Sequence, residues 1–146
     1  MNELQTAVEI AFKAHHGQKD KVGVDYIWHP ITVATYCTGE RAKITAILHD
    51  VVEDSDVTLD DLRKAGIGED VIVAVGCLTK SADKAETVEQ YYKRVASNKI
   101  ATEVKLADIK HNSCLDRWGK DNQDKAIVNA KKYAERRELL LSLVTN

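Results

Sequence analysis

The sequence predicts an all-α protein that forms a single domain. Only one proline and seven glycines occur among 146 residues, so few residues interrupt helices. Alanine, leucine, lysine, glutamate and isoleucine are frequent, and these residues favour helices. A chain of this length suits one domain, residues 1–146, with one hydrophobic core. No internal repeat, linker or low-complexity tract divides the sequence.

The first quarter of the chain predicts two helices. Residues 2–16 form the first helix, which ends at Gly17 because glycine commonly follows a helix. Residues 17–28 form an ordered loop. Pro30 suits the first turn of a second helix that runs to Cys37, because its missing N–H is not needed there. The apolar stripe of the first helix follows the spacing of three and four residues: Leu4, Ala7, Val8, Ala11 and Phe12.

The middle of the chain predicts a central helix. Residues 41–52 are apolar on most helical faces, which indicates a buried helix. Thr58 and Asp61 have the spacing of a capping box that begins a short helix ending near Gly66. Residues 68–78 favour an apolar helix, although their valine and isoleucine content also fits a strand. Further helices are predicted over residues 85–97, 98–113 and 123–143.

The segment 48–54, LHDVVED, concentrates ionisable side chains. His49 and Glu53 are four residues apart, as are Asp50 and Asp54, and such pairs share one face of a helix. Carboxylates this close repel one another unless a cation lies among them or one stays protonated. The segment therefore indicates a divalent metal and a general acid–base pair.

The predicted helix over residues 98–113 continues its apolar stripe into Asp108 and His111, and Asn112 follows one turn after Asp108. A carboxylate facing the core is costly unless it is paired or binds a metal. A backbone cap or an ion pair with Lys105 explains an isolated aspartate. The presence of a His-Asp pair elsewhere in the chain favours a metal ligand.

His29, immediately before Pro30, can cap the second helix or bind the same metal. With His49, Asp50 and Asp108 it completes a set of two imidazoles and two carboxylates. Mixed nitrogen and oxygen ligands suit Mn²⁺, Fe²⁺ or Zn²⁺ rather than Ca²⁺. Such a metal lowers the pKa of a bound water and supplies a nucleophile.

Composition excludes several other classes of protein. The net charge of −2 offers no basic field for a nucleic acid, and no apolar run approaches a membrane span or a secretory signal. The three cysteines, Cys37, Cys77 and Cys114, are far apart and predict neither a disulfide framework nor a structural zinc site. We therefore expect a cytoplasmic protein without a nucleic-acid or membrane partner.

Several segments together carry a resemblance to a known family. They lie in this order along the chain: AHHGQ at 14–18, YIWHP at 26–30, LHDVVED at 48–54, LTK at 78–80 and KLADIKHN at 105–112. The chain resembles the HD-domain phosphohydrolases, specifically the (p)ppGpp hydrolase branch of the RelA/SpoT group and its stand-alone small alarmone hydrolases. The segments span nearly the whole chain, and their combination is far more specific than a lone His-Asp dipeptide.

The resemblance implies an all-helical HD-domain fold and a metal-dependent reaction. It implies that Glu53 and Asp54 assist the attacking water and the proton transfers. The implied reaction removes pyrophosphate from the 3′ position of (p)ppGpp and leaves GDP or GTP. One Mn²⁺ would be held by His29, His49, Asp50 and Asp108.

The resemblance also implies a nucleotide site. Lys21 matches one of two adjacent basic residues that hold the guanine base, and Asn112 matches a residue that contacts the nucleotide. The chain departs from the family at Asp20, where arginine is usual and could stack on a purine. Ile109 replaces an arginine after the metal aspartate. Cys114 and Leu115 replace an Arg-Thr pair near the phosphate end of the substrate.

These departures leave alternatives open. A nucleoside monophosphate or the 2′-phosphate of NADPH could be the substrate. The chain could also be a non-catalytic nucleotide-binding regulatory module, although a pure binder has no need of the Glu53–Asp54 pair. A homo-oligomer is compatible with the sequence.

Other conspicuous side chains have simpler explanations. His15 is expected to pack at the end of the first helix, and Trp118 is expected to pack rather than act as a lid or an oligomer contact. Tyrosines 91, 92 and 133 suit a partly buried core better than a pocket lining. A solvated face explains most lysines, although three could bind phosphates as point charges: Lys80, Lys84 and Lys105.

Overall fold

The computed structural model describes residues 1–82 and 85–144, and these described residues confirm the all-α prediction. The described part of the chain contains helices and connecting turns but no strand beyond an isolated bridge between Lys19 and Asp25. The helices are α1 Glu3–Ala14, α2 Trp28–Thr35, α3 Glu40–Leu48, α4 Val51–Asp54, α5 Leu59–Lys64, α6 Glu69–Leu78, α7 Val88–Ala96, α8 Lys99–Asn112 and α9 Gln123–Val144. Two 3₁₀ segments, Leu115–Trp118 and Lys120–Asn122, precede α9.

Side-chain caps fix the beginnings of four helices. The capping oxygen of each accepts a hydrogen bond from the backbone N–H three residues later, which satisfies one of the free donors of the first turn. The box predicted at Thr58 and Asp61 is present, with both of its hydrogen bonds. The capping residues are Asn2, Thr58, Thr87 and Asn98.

The α3 helix lies at the centre of the fold, as its apolar sequence predicts. It packs against α1, α2, α6 and α8. Ile44 and Leu48 are fully buried. Thr45 is also buried, and its hydroxyl group donates a hydrogen bond to the Arg41 carbonyl. Because neighbours surround it on several sides, α3 holds its C-terminal end in a fixed position, and the His-Asp pair begins there.

The prediction of one continuous helix over residues 41–52 is wrong at the His-Asp pair. The α3 helix ends at Leu48, and the single turn α4 begins at Val51. In a continuous helix the Ala46 carbonyl would accept from residue 50. Here it accepts instead from the backbone N–H of His49 at 3.3 Å and from the His49 ring at 2.5 Å. The two ionisable residues therefore lie at a junction between helices.

The structure tests two further predictions, one on secondary structure and one on burial. Residues 69–78 are helical, so the alternative of a strand there is wrong. The apolar stripe of α1 is only partly correct, because Ala7 and Ala11 are buried whereas Leu4 and Phe12 are 38% and 52% exposed. The first helix consequently contacts the core through Ala7 and Ala11, with Val8 and Ile10 partly buried beside them.

The C-terminal helix α9 closes one side of the fold by packing against α7, α8 and the first 3₁₀ segment. Gly119 joins the two 3₁₀ segments at φ 70°, a conformation that residues with a Cβ rarely adopt. Among the described helices, none combines the length and the apolar character that a membrane span requires.

Candidate active site

A cleft of about 340 Å³ contains every residue that the sequence predicts as a site residue. The loop after α1 forms one wall, α2 with the α3–α4 junction forms the floor, and α8, the first 3₁₀ segment and α9 form the opposite wall. The predicted residues that line the cleft are Lys21, His29, His49, Asp50, Glu53, Asp54, Asp108 and Asn112. The volume falls in the range of small-molecule sites.

Four ligand atoms converge on the floor of this cleft. His29 Nε2 lies 2.8 Å from Asp108 Oδ1 and 3.9 Å from Asp50 Oδ2. His49 Nε2 lies 3.0 Å from Asp50 Oδ2 and 3.4 Å from Asp108 Oδ1. Ligands bound at about 2.1 Å and at right angles to one another are roughly 3.0 Å apart, so these separations suit one shared divalent cation.

The hydrogen bonding of His49 fits a metal ligand. Its Nδ1 donates to the Ala46 carbonyl, which places the lone pair of the neutral ring on Nε2. The buried Nε2 makes no hydrogen bond, because its approaches to the carboxylates of Asp50 and Asp108 lack suitable geometry. A histidine that donates one ring N–H to a backbone carbonyl and leaves the other nitrogen free is typical of metal sites.

Electrostatics also favour a cation. Burial disfavours a charged His49 ring, but the carboxylates of Asp50 and Asp108 outweigh this effect and hold the pKa of His49 well above its usual value. The buried carboxylate of Asp108 and the partly buried one of Asp50 thus attract positive charge to the position of the four ligand atoms. The residues present therefore fit a divalent metal, and His29, His49 and Asp50 offer ligand atoms that all lie within 4.8 Å of one another.

His29 is a buried site residue and not a helix cap. Ile27 is the residue before the first turn of α2, and the His29 ring is only 4% exposed. Its Nδ1 lies 2.7 Å from Nδ1 of His111, and the two rings stack with centroids 5.0 Å apart. Burial lowers the pKa of His111 to about 4, so this neighbour is neutral and can accept from His29.

The sequence left two roles open for Asp108, an ion pair with Lys105 and a metal ligand. The contacts of its two oxygens fit both roles. Its Oδ2 accepts from Lys105 Nζ at 2.9 Å, whereas Oδ1 faces His29 and His49 and also accepts from Asn112 Nδ2 at 3.1 Å. Burial raises the pKa of this carboxyl, but Lys105 and the two imidazoles outweigh that effect and keep it well below its usual value. Asp108 is therefore ionised and has one oxygen directed at the floor of the cleft.

Tyr26 is a site residue that the sequence reasoning did not select individually. Its hydroxyl donates to Asp50 Oδ2 at 2.5 Å, and its ring lies between His15 and His29. Burial, together with the charge of Asp50, raises the pKa of Tyr26, so the hydroxyl remains a donor. The motif YIWHP contained the signal, because Tyr26 lies three residues before His29.

The predicted acid–base pair lies at the mouth of the cleft on α4. Glu53 Oε1 accepts from the backbone N–H of Lys80 at 2.8 Å, so the end of α6 orients this carboxylate. Partial loss of solvent and the charges of Asp50 and Glu53 raise the pKa of Asp54 to about 6. A carboxyl that titrates near neutrality suits proton transfer at physiological pH.

The residues that depart from the family pattern occupy distinct environments. Ile109 is 2% exposed in the core, and Leu115 is 42% exposed and does not line the cleft. Asp20 does line the cleft, where its Oδ2 accepts from Arg117 Nη2 at 3.3 Å. Arg117 also donates to Asn112 Oδ1 at 3.0 Å and so joins α8 to the loop after α1. No local pattern in the sequence indicated the contact between Asp20 and Arg117.

The aromatic and basic side chains divide between cleft and core. Three aromatic residues that were expected only to pack also line the cleft: Tyr91, Tyr133 and Trp118. Tyr92 is buried and does not line it. His15 is 2% exposed, which confirms its packing role. The three lysines considered for phosphates also differ. Lys80 is exposed at the cleft, Lys105 is buried against Asp108, and Lys84 lies outside the described residues.

Two exposed lysines, Lys21 and Lys80, line the cleft. Loss of solvent, followed by the positive charges of Lys21, Arg136 and Lys80, lowers the pKa of Lys132, which lies on α9 outside the cleft lining. An ammonium group exposed in a cleft can pair with an anionic group of a ligand.

Fold and site together define an all-helical protein with a candidate His/Asp divalent-metal site at the floor of a cleft. No family model matches the chain. A GTP pyrophosphokinase of Streptomyces coelicolor is 33% identical over 137 residues, which cover 86% of this chain and 16% of that protein. A guanosine-3′,5′-bis(diphosphate) 3′-pyrophosphohydrolase of Spiroplasma citri is 32% identical over 125 residues, or 77% of this chain and 17% of that protein.

A solved structure described as a metazoan orthologue of SpoT that hydrolyses ppGpp matches with a TM-score of 0.70 and 26% identity. The match covers 98% of this chain and 94% of that one. The chain belongs to the RelA/SpoT-type HD hydrolase domains. It spans about a sixth of the length of the two curated relatives described above.

Proposed function

We propose that the chain is a metal-dependent (p)ppGpp 3′-pyrophosphohydrolase that releases pyrophosphate and leaves GDP or GTP. The convergence of four ligand atoms beside a carboxyl with a pKa of about 6 is the observation that carries this proposal. A relative is described as a guanosine-3′,5′-bis(diphosphate) 3′-pyrophosphohydrolase, and a solved neighbour is described as hydrolysing ppGpp. The alternative of a purely binding module does not account for the acid–base pair.

The proposed ligands are His29, His49, Asp50 and Asp108, with Mn²⁺ as the proposed ion. When bound, a divalent cation activates water for attack on phosphorus and stabilises the charge that develops on the phosphoryl oxygens. Imidazole and carboxylate ligands are compatible with Mn²⁺. Tyr26 and Asn112 support the proposed ligands by donating to Asp50 and Asp108, which holds each carboxylate in one orientation.

The proton transfers are assigned to the α4 carboxylates. Asp54, with its raised pKa, takes a proton as water attacks the 3′-linked phosphorus and returns one to the departing 3′ oxygen. Glu53 stays fixed by the Lys80 N–H and orients the water through its second oxygen. Lys80, exposed at the cleft, would pair with the pyrophosphate.

The substrate-binding residues of this proposal are Lys21 and Asn112. Lys21 is exposed at the cleft and contributes to the positive potential at Lys132. The side-chain amide of Asn112 extends from Asp108 towards Arg117, so it lies between the proposed metal site and the loop that contains Lys21. The proposed cellular site is the cytoplasm, where the three free cysteines would stay reduced. The single domain over residues 1–146 and the possibility of a homo-oligomer stay predictions.

The test is release of pyrophosphate from ppGpp by the purified protein with and without Mn²⁺. Turnover should require the metal and give GDP. Asp50→Ala should abolish both metal binding and activity, whereas Glu53→Ala should keep metal binding and lower kcat strongly. Full activity in either variant would exclude the mechanism.

A second candidate keeps the chemistry and changes the nucleotide. The presence of Asp20 in the cleft, where the family has arginine, favours it. A panel of ppGpp, nucleoside monophosphates and NADPH, followed by separate phosphate and pyrophosphate measurements, distinguishes the two candidates. Cleavage of another nucleotide with no cleavage of ppGpp would overturn the substrate assignment and leave the reaction class intact.

A further inference from the structure

The Arg117 guanidinium is held across the cleft by side chains from two different walls. Its Nη2 donates to Asp20 Oδ2 at 3.3 Å, and its Nη1 donates to Asn112 Oδ1 at 3.0 Å. The Arg117 side chain is 21% exposed and lines the cleft. Both terminal nitrogens are therefore engaged, while part of the group still faces the space that a ligand would fill.

Asp20 is rigid enough to fix this arginine. Its Oδ1 accepts from the backbone N–H groups of Val22 and Val24 at 2.9 and 3.0 Å, which closes the loop around it. Its side chain is 12% exposed. Burial raises the pKa of Asp20, but these hydrogen bonds, followed by that of Arg117, outweigh it and keep the pKa below its usual value, so the carboxylate stays charged. The loop thus presents a permanent negative charge to Arg117.

This pairing changes what Arg117 can bind. A guanidinium whose charge is balanced and whose terminal nitrogens already donate is a weak clamp for a phosphate. Its planar face remains available, and guanidinium planes stack on aromatic rings. Lys80, which is exposed and lines the cleft, is better placed to hold a phosphate.

The position of Arg117 suits one part of a nucleotide. The Asn112 amide alone separates its guanidinium from the proposed metal ligand Asp108. In a nucleotide, the ribose alone separates the base from the 3′ phosphorus. A substrate with its 3′ phosphorus at the floor would therefore bring its base to the wall formed by Arg117.

We propose that Arg117 is the stacking platform for the nucleobase and that Asp20 is its positioning residue. This inference rests on the proposed function, because it assumes that the ligand is a nucleotide. It assigns to the first 3₁₀ segment a specificity role that depends on a contact with the loop after α1.

The test compares binding of GDP with binding of inorganic pyrophosphate to the Mn²⁺-loaded protein by calorimetry. Arg117→Ala should weaken GDP binding about tenfold or more, as expected for loss of stacking on a base, and weaken pyrophosphate binding less, through the charge of Asp20 that it leaves unbalanced. Arg117→Lys retains a charge that can pair with Asp20 but has no plane, so it should weaken GDP binding similarly. Steady-state kinetics with ppGpp should show the loss in KM and not in kcat.

The charge of Asp20 has its own consequence. Asp20→Asn keeps an oxygen for the Val22 and Val24 N–H groups but frees the positive charge of Arg117, so pyrophosphate binding should become at least threefold tighter. Arg63→Ala is the matched control, because Arg63 forms an ion pair with Glu69 outside the cleft, and both affinities should remain unchanged. Thermal unfolding of each variant verifies that it is folded.

The outcomes separate this inference from the function on which it rests. If the wild type cleaves ppGpp but Arg117→Lys binds GDP with full affinity, the stacking role is wrong and the proposed function stands. Equal losses of GDP and pyrophosphate binding in Arg117→Lys would make Arg117 a phosphate contact, which also overturns the inference. A wild-type protein that neither cleaves ppGpp nor binds GDP would contradict the proposed function and this inference with it.

Discussion

At the scale of single residues, each candidate histidine ligand is oriented by a hydrogen-bond partner at the ring nitrogen that faces away from the other ligands. The Ala46 carbonyl holds His49 Nδ1, and His111 lies at hydrogen-bonding distance from His29 Nδ1. In each ring this leaves Nε2 to face the carboxylates. A fixed tautomer lowers the reorganisation needed to bind a cation, so the neighbours of the ligands should contribute measurably to metal affinity.

His111 provides a direct test of this view. Because its loss leaves His29 Nδ1 without its partner, His111→Ala should weaken Mn²⁺ binding by about 10–100-fold. A titration that follows free Mn²⁺ by electron paramagnetic resonance measures this. Lys110→Ala is the control, because the Lys110 side chain lies over Tyr36 on the surface. An affinity of His111→Ala within twofold of the wild type would refute the role of His111.

Asp54 should make the stability of the metal-free protein depend on pH in an unusual direction. Its pKa is about 6 in the fold and near the ordinary value of 3.8 when unfolded, so between these values only the folded chain retains the proton. The stabilisation is present below pH 3.8 and is lost as the pH rises through 6. The urea midpoint of the wild type, measured with chelator and relative to Asp54→Asn, should therefore fall from pH 4 to 7. A constant difference between the two proteins would contradict the raised pKa.

At the scale of secondary-structure elements, the site depends on short connections. Gln18, just after α1, donates to the carbonyls of Ala14 and Asp54 at 3.1 and 2.9 Å, and its Oε1 lies 2.8 Å from His15 Nδ1. It therefore joins the end of α1 to the end of α4. Since α4 is a single turn, this link fixes the orientation of the proposed acid–base pair.

Removal of the Gln18 link should affect turnover more than binding. Gln18→Ala and Gln18→Glu both remove the donor to the Asp54 carbonyl, and loss of a hydrogen bond worth about 1 kcal/mol should lower kcat roughly fivefold. The KM for ppGpp should change little. Gln5→Ala, which removes a glutamine from the exposed capping box of α1, should leave kcat unchanged. A rise in KM at constant kcat would assign Gln18 to substrate binding instead.

The helices themselves were largely predictable because their signals are local. The capping box at Thr58 and the apolar run of α3 depend on residues close in sequence, and both predictions are correct. The interruption after Leu48 was not predictable, because it depends on a side chain of His49 competing for a carbonyl, and periodicity does not register that competition. Likewise, the contact between Asp20 and Arg117 joins residues 97 positions apart, and no spacing rule applies at that distance.

At the scale of the whole molecule, the net charge conceals the electrostatics of the cleft. The chain carries a net charge of −2, yet Lys21 and Lys80 are exposed in the cleft whereas Asp50 and Asp108 lie at its floor. The sequence supplied the donor residues but not this separation of charge. The proposed ligands also come from α2, the α3–α4 junction and α8, so a bound cation would connect elements that are far apart in the chain.

This connection predicts that the metal stabilises the entire fold. In the unfolded chain the four ligands are dispersed, so the cation binds mainly the folded state. At 100 times its Kd, a ligand that binds only the folded state stabilises it by about 2.7 kcal/mol, which raises Tm by about 5–10 °C in a domain of this size.

Calorimetry with Mn²⁺ or chelator should show this shift in the wild type and none in Asp50→Ala. Asp70→Ala removes a carboxylate that pairs with Arg41 outside the cleft, and it should retain the full shift. An undiminished shift in Asp50→Ala would mean that the cation binds elsewhere, because Asp50 Oδ2 is one of the four ligand atoms at the cleft floor.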